Sequence, residues 1–202
     1  MTPSTGTSRR RLPPEQREEQ VLDAAVRVFS RTGFHDASMD AVATEAGVSK
    51  PMVYTHGGGS KDELLRRCIR REAARLLDSV SGAAGPAAGA EQRLRHGVRA
   101  FFRTVTTHRD GWSVLYRQAR TGAFADEVHE ARSRIVDRVA ELLAAELGVP
   151  GTGAGATPVA AALVGAAEGL ADWSAAGGTD DPDELADLLL ALLWPGLERL
   201  RG

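Results

Sequence analysis

Residues 38–61 read SMDAVATEAGVSKPMVYTHGGGSK and contain two short helical segments joined by a tight turn. Ser38 is a preferred N-cap residue for a first helix that ends at Gly47, and Ser49 precedes a second helix over about Lys50–Thr55. Gly47 has no Cβ, so it can adopt the positive φ that a tight turn between two helices requires. This arrangement predicts a helix-turn-helix.

The start of the second helix has features that favour a phosphate group. Free N–H groups and the positive end of the helix dipole attract anions, Lys50 adds a positive charge, and the Ser49 hydroxyl is expected to cap the helix. Residues 1–71 hold 12 Lys and Arg against 9 Asp and Glu, whereas the remainder holds 13 against 18. The formal net charge of −2 therefore does not exclude a nucleic-acid partner.

The rest of the 202-residue chain has helical periodicity almost throughout, with no alternating run of β-branched residues. A helix over 15–32 precedes the motif and is expected to end at Gly33. The capping-box spacing at 60–63 opens a long helix that runs to about residue 80. Loops rich in Gly and Ala at 82–90 and 148–155 separate the later helices. We therefore predict an all-α protein of about nine helices.

Composition excludes several classes of protein. The single cysteine, Cys68, excludes an internal disulfide and a cysteine-cluster zinc site, and the five histidines lack the paired spacing of metal ligands. The stretch that comes closest to a membrane span, residues 159–176, is interrupted by Glu168 and Asp172, which predicts a soluble, cytoplasmic protein without a membrane partner. We expect no metal and no cofactor.

Two glycine-rich strings resemble enzyme motifs, but their context does not fit. Residues 56–59 spell the oxyanion-hole string of lipases and esterases, yet the chain has no Gly-x-Ser-x-Gly elbow and no predicted sheet. Residues 151–155 resemble a dinucleotide loop without its spacing or its preceding strand. We expect no enzymatic activity and assign no catalytic residue.

Residues 17–69 resemble the DNA-binding domain of the TetR family of bacterial repressors. The matching residues occur in family order over about a quarter of the chain: Val21-Leu22-Asp23-Ala24-Ala25, Phe29, Gly33-Phe34, Ser38-Met39, Val42-Ala43, Glu45-Ala46-Gly47-Val48-Ser49-Lys50, Val53-Tyr54 and Ser60-Lys61-Asp62-Glu63-Leu64-Leu65. The resemblance implies a three-helix DNA-binding domain over 14–66, preceded by a flexible basic arm over 1–13. A ligand-binding and dimerisation domain of about six helices would follow over 67–202.

By this resemblance, the helix that begins at Lys50 is the recognition helix and enters the major groove. The residues that would contact DNA are Ser38, Ser49, Lys50, Pro51, Met52, Tyr54, Thr55, His56 and Lys61. Tyr54, His56 and Lys61 would bind phosphates, as would the Ser38 hydroxyl at its helix N-terminus. The arginine run at 9–11 is either an arm for an adjacent groove or a solubilising tail.

The chain departs from the family pattern at Gly57-Gly58-Gly59. The family usually has an aromatic residue directly after the position of His56, whereas this chain lacks that ring and has one inserted residue. We expect a looser link between the recognition helix and the long helix, with the placement of Lys61 affected most. This departure keeps open a second interpretation, a helical ligand-binding or interaction protein that has lost DNA binding.

The later helices match no local motif, and their roles are implied by the resemblance. The candidate pocket residues are Phe101, Phe102, Trp112, Tyr116, Phe124 and Trp173, with Arg120, His108 and His129 as polar partners, and the alternative is that they are ordinary core residues. The candidate dimer-interface residues are Ala161, Gly165, Ala166, Leu185, Leu189 and Leu192, and the alternative is burial within one subunit. Apolar walls with few polar groups favour a small hydrophobic effector.

The function that the resemblance implies is a ligand-responsive transcriptional regulator, most simply a repressor. A homodimer would place its two recognition helices in successive major grooves of a palindromic double-stranded operator, about 34–36 Å apart. A small-molecule effector bound in the helical body would release the operator, and a coupling of about 1–3 kcal/mol suffices for such a switch.

Overall fold

The computed structural model describes residues 13–83, 89–118, 123–147 and 155–200. The basic run at 9–11 and Arg120 lie outside the described residues. The described ranges contain helices and no strand: α1 (Pro14–Asp36), α2 (Met39–Ala46), α3 (Lys50–Gly57), α4 (Lys61–Gly82), α5 (Ala90–Thr107), α6 (Arg109–Ser113), a π-helix (Val114–Gln118), α7 (Ala125–Leu147), α8 (Ala156–Ala175) and α9 (Pro182–Leu200). The predicted all-α class is confirmed.

Contacts divide the chain into two compact units, Met1–Arg67 and Cys68–Gly202, and α4 crosses the boundary between them. In the first unit, α1 packs against α2 and α3. Each of these helices has an apolar face, and burying those faces together removes their side chains from water. The core residues with almost no exposed surface are Val21, Val28, Phe29, Val42, Val53 and Leu64.

α1 is kinked near its end. Gly33 has φ 78° and ψ 166°, values that interrupt the helix, and the chain then makes one further turn to Asp36. The sequence predicts the end of the helix at Gly33, so the structure differs by this extra turn. Phe34, within the turn, packs against Phe29 with ring centroids 6.1 Å apart.

In the second unit, α5 packs against α9, and α7 packs against α8. Leu185 and Leu189, which the sequence analysis assigns to a dimer interface, are only 1% exposed and lie in the core of one subunit, as in the alternative that the sequence left open. Ion pairs join α5 and α9 at the surface, where Arg95 binds Asp187 and the Arg99 Nε lies 3.1 Å from the Asp183 carboxylate.

Candidate nucleic-acid interface and ligand cavity

The α2–turn–α3 segment is fixed by local hydrogen bonds. The Ser38 Oγ accepts the backbone N–H of Ala41 at 3.1 Å, as expected of an N-cap. Gly47 lies in the left-handed region (φ 64°, ψ 34°), and the following N–H, of Val48, donates to the Ala43 carbonyl at 3.0 Å. This pattern is the Schellman motif, which satisfies the last carbonyls of α2 and turns the chain into α3.

Ser49 caps α3 in a different way from the predicted one. Its backbone carbonyl accepts the N–H groups of Met52 at 2.9 Å and Val53 at 3.2 Å, while its side chain makes no capping hydrogen bond. The hydroxyl and the positive end of the helix dipole therefore both remain available at this terminus.

α3 is anchored by few residues and exposes most of its surface. Val53 and Gly57 are its buried residues, and Met52 and His56 are half-buried. The exposed residues are Lys50, Pro51, Tyr54 and Thr55, with Tyr54 at 40%. The structure thus brings the predicted DNA-contacting side chains of this helix together on a surface that a partner can reach.

Lys50 is held by a single exposed carboxylate. Its Nζ lies 2.8 Å from the Asp40 Oδ2, and both side chains are largely exposed. The hydrogen bond that Lys50 donates to Asp40, with the attraction between the two charges, raises the pKa of Lys50 above its usual value. Exposed ion pairs of this kind contribute little to stability, so Lys50 can exchange Asp40 for a phosphate at small cost.

The ammonium group of Lys61, for which the sequence predicts a phosphate contact, lies against the end of α1 in this structure. Its Nζ donates to the carbonyl oxygens of Phe34 at 2.8 Å, Ala37 at 3.0 Å and His35 at 3.2 Å. It also lies 4.6 Å from the centroid of the Phe34 ring. An ammonium group has three N–H donors, and three carbonyl groups already accept them. All three N–H donors of Lys61 are therefore engaged within the first unit of this structure.

Hydrogen bonds hold the glycine segment that follows α3, whereas the sequence predicts a looser link between α3 and α4. Gly58 (φ 94°) and Gly59 (φ 85°) adopt the left-handed conformation, and both N–H groups donate to the Tyr54 carbonyl. A Cβ on the buried Gly57 would lie 3.0 Å from Leu64 Cδ1. The fully buried Leu64 side chain thus occupies the space next to the position where the family has its ring.

Contacts between α1 and α2 include residues that the sequence analysis missed. The Gln20 amide donates to the Ala46 carbonyl at 2.7 Å. Glu45 accepts hydrogen bonds from Arg27 at 2.7 Å and Arg31 at 3.2 Å, and these two bonds lower the pKa of its carboxyl group. Nothing in the local pattern marks these residues, because their partners lie 14 to 26 positions away.

The second unit contains a cavity of about 100 Å³. Its walls are aliphatic and aromatic apart from Arg93 and the hydroxyl of Tyr116, and they come from α4, α5, the π-helix, α7, α8 and α9. The lining residues are Leu76, Val80, Arg93, Leu94, Gly97, Val98, Phe101, Tyr116, Ile135, Val139, Leu142, Leu143, Leu163, Val164, Ala167, Trp194 and Leu197. A concave apolar space with few polar groups is typical of a small-molecule site.

Of the predicted pocket residues that the structure describes, Phe101 and Tyr116 alone line this cavity. The side chains of Phe102, Trp112 and Phe124 are buried elsewhere in the core, and Trp173 is 52% exposed. His108 lines a smaller cavity together with Trp112, and His129 is exposed. The sequence analysis favoured aromatic residues and missed the aliphatic ones that form most of the wall.

A polar cluster of Tyr116, Glu168 and Arg132 lies beside the cavity wall. The Tyr116 hydroxyl donates to the Glu168 Oε1 at 2.6 Å, and the Arg132 Nε lies 2.9 Å from the same oxygen. Glu168 is only 8% exposed. The Tyr116 ring also stacks on Trp112, with centroids 3.8 Å apart, and the Trp112 indole donates to Asp172 at 3.3 Å. Two carboxylates one turn apart on α8 therefore hold the π-helix region.

α8 and α9 also present apolar groups to solvent. Leu188, Leu192 and Leu200 are exposed, with Leu192 at 67%, and small residues (Ala161, Gly165 and Ala166) are partly exposed on α8.

Within the described ranges, no helix combines the length and apolar character needed to cross a bilayer. The same ranges contain no group of three or more His, Cys, Asp or Glu that could hold a metal ion.

Comparison with known proteins places both units in one family. Residues 21–68 match the family of bacterial regulatory proteins of the tetR type, and residues 90–196 match the tetracyclin repressor-like C-terminal domain. The HTH-type transcriptional activator FasR of Mycolicibacterium smegmatis is 34% identical over 150 residues, which cover 73% of this chain and 68% of FasR.

Solved structures show the same relationship. A TetR-like transcriptional regulator from Rhodococcus sp. RHA1 is 43% identical, with a TM-score of 0.75 over 93% of this chain and 99% of that one. The transcriptional regulator FadR of Bacillus subtilis, solved with stearoyl-CoA, shares the fold at 17% identity, with a TM-score of 0.75 over 87% of this chain and 96% of FadR. This chain belongs to the TetR family of transcriptional regulators, which are DNA-binding proteins and not enzymes.

Proposed function

We propose that the protein is a homodimeric repressor that leaves a palindromic operator when a small hydrophobic effector binds its second unit. The observation that carries the DNA-binding part is the exposed surface of α3, where Lys50 and the uncommitted Ser49 hydroxyl lie at the positive end of the helix. The proposed contacts are Ser38, Ser49, Lys50, Pro51, Met52, Tyr54, Thr55 and His56. Exposed Leu188 and Leu192 of α9, with the small residues of α8, are the surface proposed for a second copy of the chain.

The direction of regulation has a second candidate. FasR, which is 34% identical, is named an activator, so activation is the alternative outcome for this chain. Selection of bound fragments from genomic DNA identifies the operator, and a reporter gene behind it distinguishes the two. Loss of the regulator raises expression if the protein represses and lowers expression if it activates.

Operator binding is expected to depend on Lys50. Lys50→Met removes a positive charge from the start of α3 and should weaken operator affinity roughly tenfold, with a smaller dependence of affinity on salt. Asp40→Asn is the matched control, because it removes the carboxylate that competes with phosphate for the same Nζ. It should leave affinity unchanged or improve it. Unaltered affinity in the Lys50 variant would contradict the proposed surface.

The proposed effector is a molecule whose apolar part fills the cavity. The supporting observations are the apolar walls of the cavity and the stearoyl-CoA bound to the FadR neighbour, which has a long acyl chain. Stearoyl-CoA and free fatty acids of decreasing length are therefore suitable probes. At a ligand concentration about 100 times its Kd, a bound probe should stabilise the folded protein by about 2.7 kcal/mol and raise its melting temperature.

A cavity-filling variant tests where such a probe binds. Val139 lines the cavity from α7, so Val139→Trp should fill part of it and abolish the stabilisation. Asp137→Trp places the same side chain on the exposed face of α7 and should leave the stabilisation intact. If every probe leaves the melting temperature unchanged, or if Val139→Trp responds like the control, the proposed site is wrong.

A further inference from the structure

Arg93 is the one charged side chain among the described residues that line the cavity of the second unit. The other polar group of the described wall is the Tyr116 hydroxyl, which already donates its single proton to the buried Glu168 carboxylate at 2.6 Å. A guanidinium group has five N–H donors, so it can keep contacts with the protein and still donate to a ligand. Arg93 is therefore the wall residue that can bind a negatively charged group.

Two further cavity residues lie on the same face of α5 as Arg93. Gly97 and Phe101 follow it at intervals of four residues, so the three lie one above another along the helix. The rise from Arg93 to Phe101 is about 12 Å. The Phe101 ring centroid lies 5.6 Å from that of Trp112, which stacks on Tyr116. Tyr116 therefore lies towards the Phe101 end of the cavity, away from Arg93.

Gly97 leaves the wall between these two ends without a side chain. A Cβ there would lie 3.8 Å from Val80 Cγ1, an ordinary van der Waals distance, so packing does not require glycine at this position. Glycine in the interior of a helix is less stable than alanine. This glycine therefore lowers the stability of α5 and keeps space open beside Arg93. An elongated apolar molecule fits along this wall with a charged group at the arginine.

We propose that the effector is an anionic amphiphile, with a carboxylate or phosphate on an aliphatic body, and that Arg93 binds the charged group while the body extends over Gly97 towards Phe101. This inference rests on the proposed effector cavity and adds the charge of the ligand and its direction. The neighbouring Arg95 and Arg99 form ion pairs with α9 instead.

Ligands that share a decyl chain and differ in the head group test the charge. Decanoate, decyl phosphate, decanol and decylamine are compared by titration calorimetry with the full-length protein. Hydrogen bonds to ionised groups are stronger than those between neutral groups, so the unmodified protein should bind both anions about tenfold or more tightly than decanol. Decylamine should bind most weakly, because its charge has the same sign as that of Arg93.

Substitution of Arg93 tests which residue causes the preference. Arg93→Met removes the charge and keeps an unbranched side chain, so it should lower the affinity for decanoate about tenfold or more and leave that for decanol unchanged. Arg93→Lys should retain a preference for the anions, weakened for decyl phosphate because ammonium lacks the planar fork. Arg103→Met is the matched control, since it removes the same charge from an exposed position of α5 and should keep the full preference.

The possible results separate this inference from the proposed cavity. If stearoyl-CoA and all four decyl ligands fail to bind, the cavity itself is wrong as the effector site. If stearoyl-CoA binds and the decyl anions do not, the cavity proposal stands and this inference is overturned. Equal affinity for decanoate and decanol, or tightest binding of decylamine, overturns it as well.

The Arg93 variants also distinguish charge from packing. An equal fall in affinity for decanoate and decanol in Arg93→Met would mean that the arginine acts through its aliphatic stem, and the assignment would be wrong. Arg93→Gln, which is also neutral, takes the place of Arg93→Met if that variant does not fold. Loss of the preference for anions in a folded neutral variant, with the preference kept in Arg103→Met, supports the proposal.

Discussion

Replacement of Gly58 with valine is expected to lower the free energy of unfolding by about 3 kcal/mol, from backbone strain and overpacking together. Gly58 has φ 94°, a conformation that L-residues rarely adopt and that β-branched residues adopt least. A Cβ at this position would also lie 2.5 Å from the Glu63 Cγ and 2.8 Å from the Arg67 Nε. Contacts this short require the neighbouring side chains to move.

Those neighbours are themselves held in place. The Glu63 N–H donates to the Ser60 hydroxyl at 3.1 Å, which caps the start of α4. The Arg67 guanidinium donates to Glu18 of α1 at 3.1 Å and to the His56 carbonyl of α3 at 3.3 Å. Moving Arg67 to make room for a methyl group would therefore loosen contacts of α4 with both α1 and α3.

Gly59→Val is the matched control for this prediction. Gly59 has a similar φ of 85°, but a Cβ there would meet no atom within 4 Å. Gly59→Val should lower the free energy of unfolding only by the cost of backbone strain, roughly 1–2 kcal/mol. Urea unfolding of both variants measures the difference, which isolates the contacts with Glu63 and Arg67. Equal losses in the two variants would mean that the packing argument is wrong.

The helix-turn-helix was predictable because its determinants are local. Ser38 caps α2 through a bond to Ala41, three residues on, and Gly47 adopts the left-handed conformation that ends α2. A residue type and its near neighbours encode such features directly. The bounds of α2 from the sequence therefore agree with the structure.

The contacts of Lys61 were not predictable in the same way. Its partners lie 24 to 27 residues away, on a turn that forms only because Gly33 kinks α1 and lets the chain continue to Asp36. The family pattern supplies a lysine at this position, but it does not state whether the ammonium group faces a phosphate or the protein. Only the packed arrangement of α1 and α4 decides that.

The helices of the second unit show a related limit of prediction from sequence. The sequence analysis assigned Leu185 and Leu189 to a dimer interface, and both are buried, but against the core of their own subunit. An apolar face shows that something covers it without showing what. The cavity was missed for the same reason, since aliphatic residues that line a space look identical in sequence to those that fill one.

Removing the charge of Arg132 is expected to lower stability by about 2 kcal/mol. Glu168 is 8% exposed, and its partners are Arg132 and the Tyr116 hydroxyl. Breaking a fully buried ion pair from one side costs about 3–5 kcal/mol, because the remaining charge stays buried without compensation. The Arg132 side chain is 36% exposed, and water screens the pair in part, so we expect a smaller loss in Arg132→Met.

The cause of that loss can be separated from lost packing by a second substitution. Glu168→Gln keeps an oxygen that can accept the Tyr116 hydrogen bond and removes the negative charge. The double variant, Arg132→Met with Glu168→Gln, should therefore be more stable than Arg132→Met alone. In a double-mutant cycle, this appears as a coupling energy of about 1 kcal/mol or more between the two positions.

Arg134→Met is the control on the same helix, since Arg134 pairs with Glu130 across two largely exposed side chains. It should change stability by less than about 0.5 kcal/mol. If Glu168→Gln destabilises Arg132→Met further, the arginine acts through its packing and not through its charge. Because Tyr116 both lines the cavity and binds Glu168, the loss of Arg132 should also weaken binding of the apolar probes. Unchanged probe affinity in a folded Arg132→Met protein would show that the polar cluster supports the fold alone.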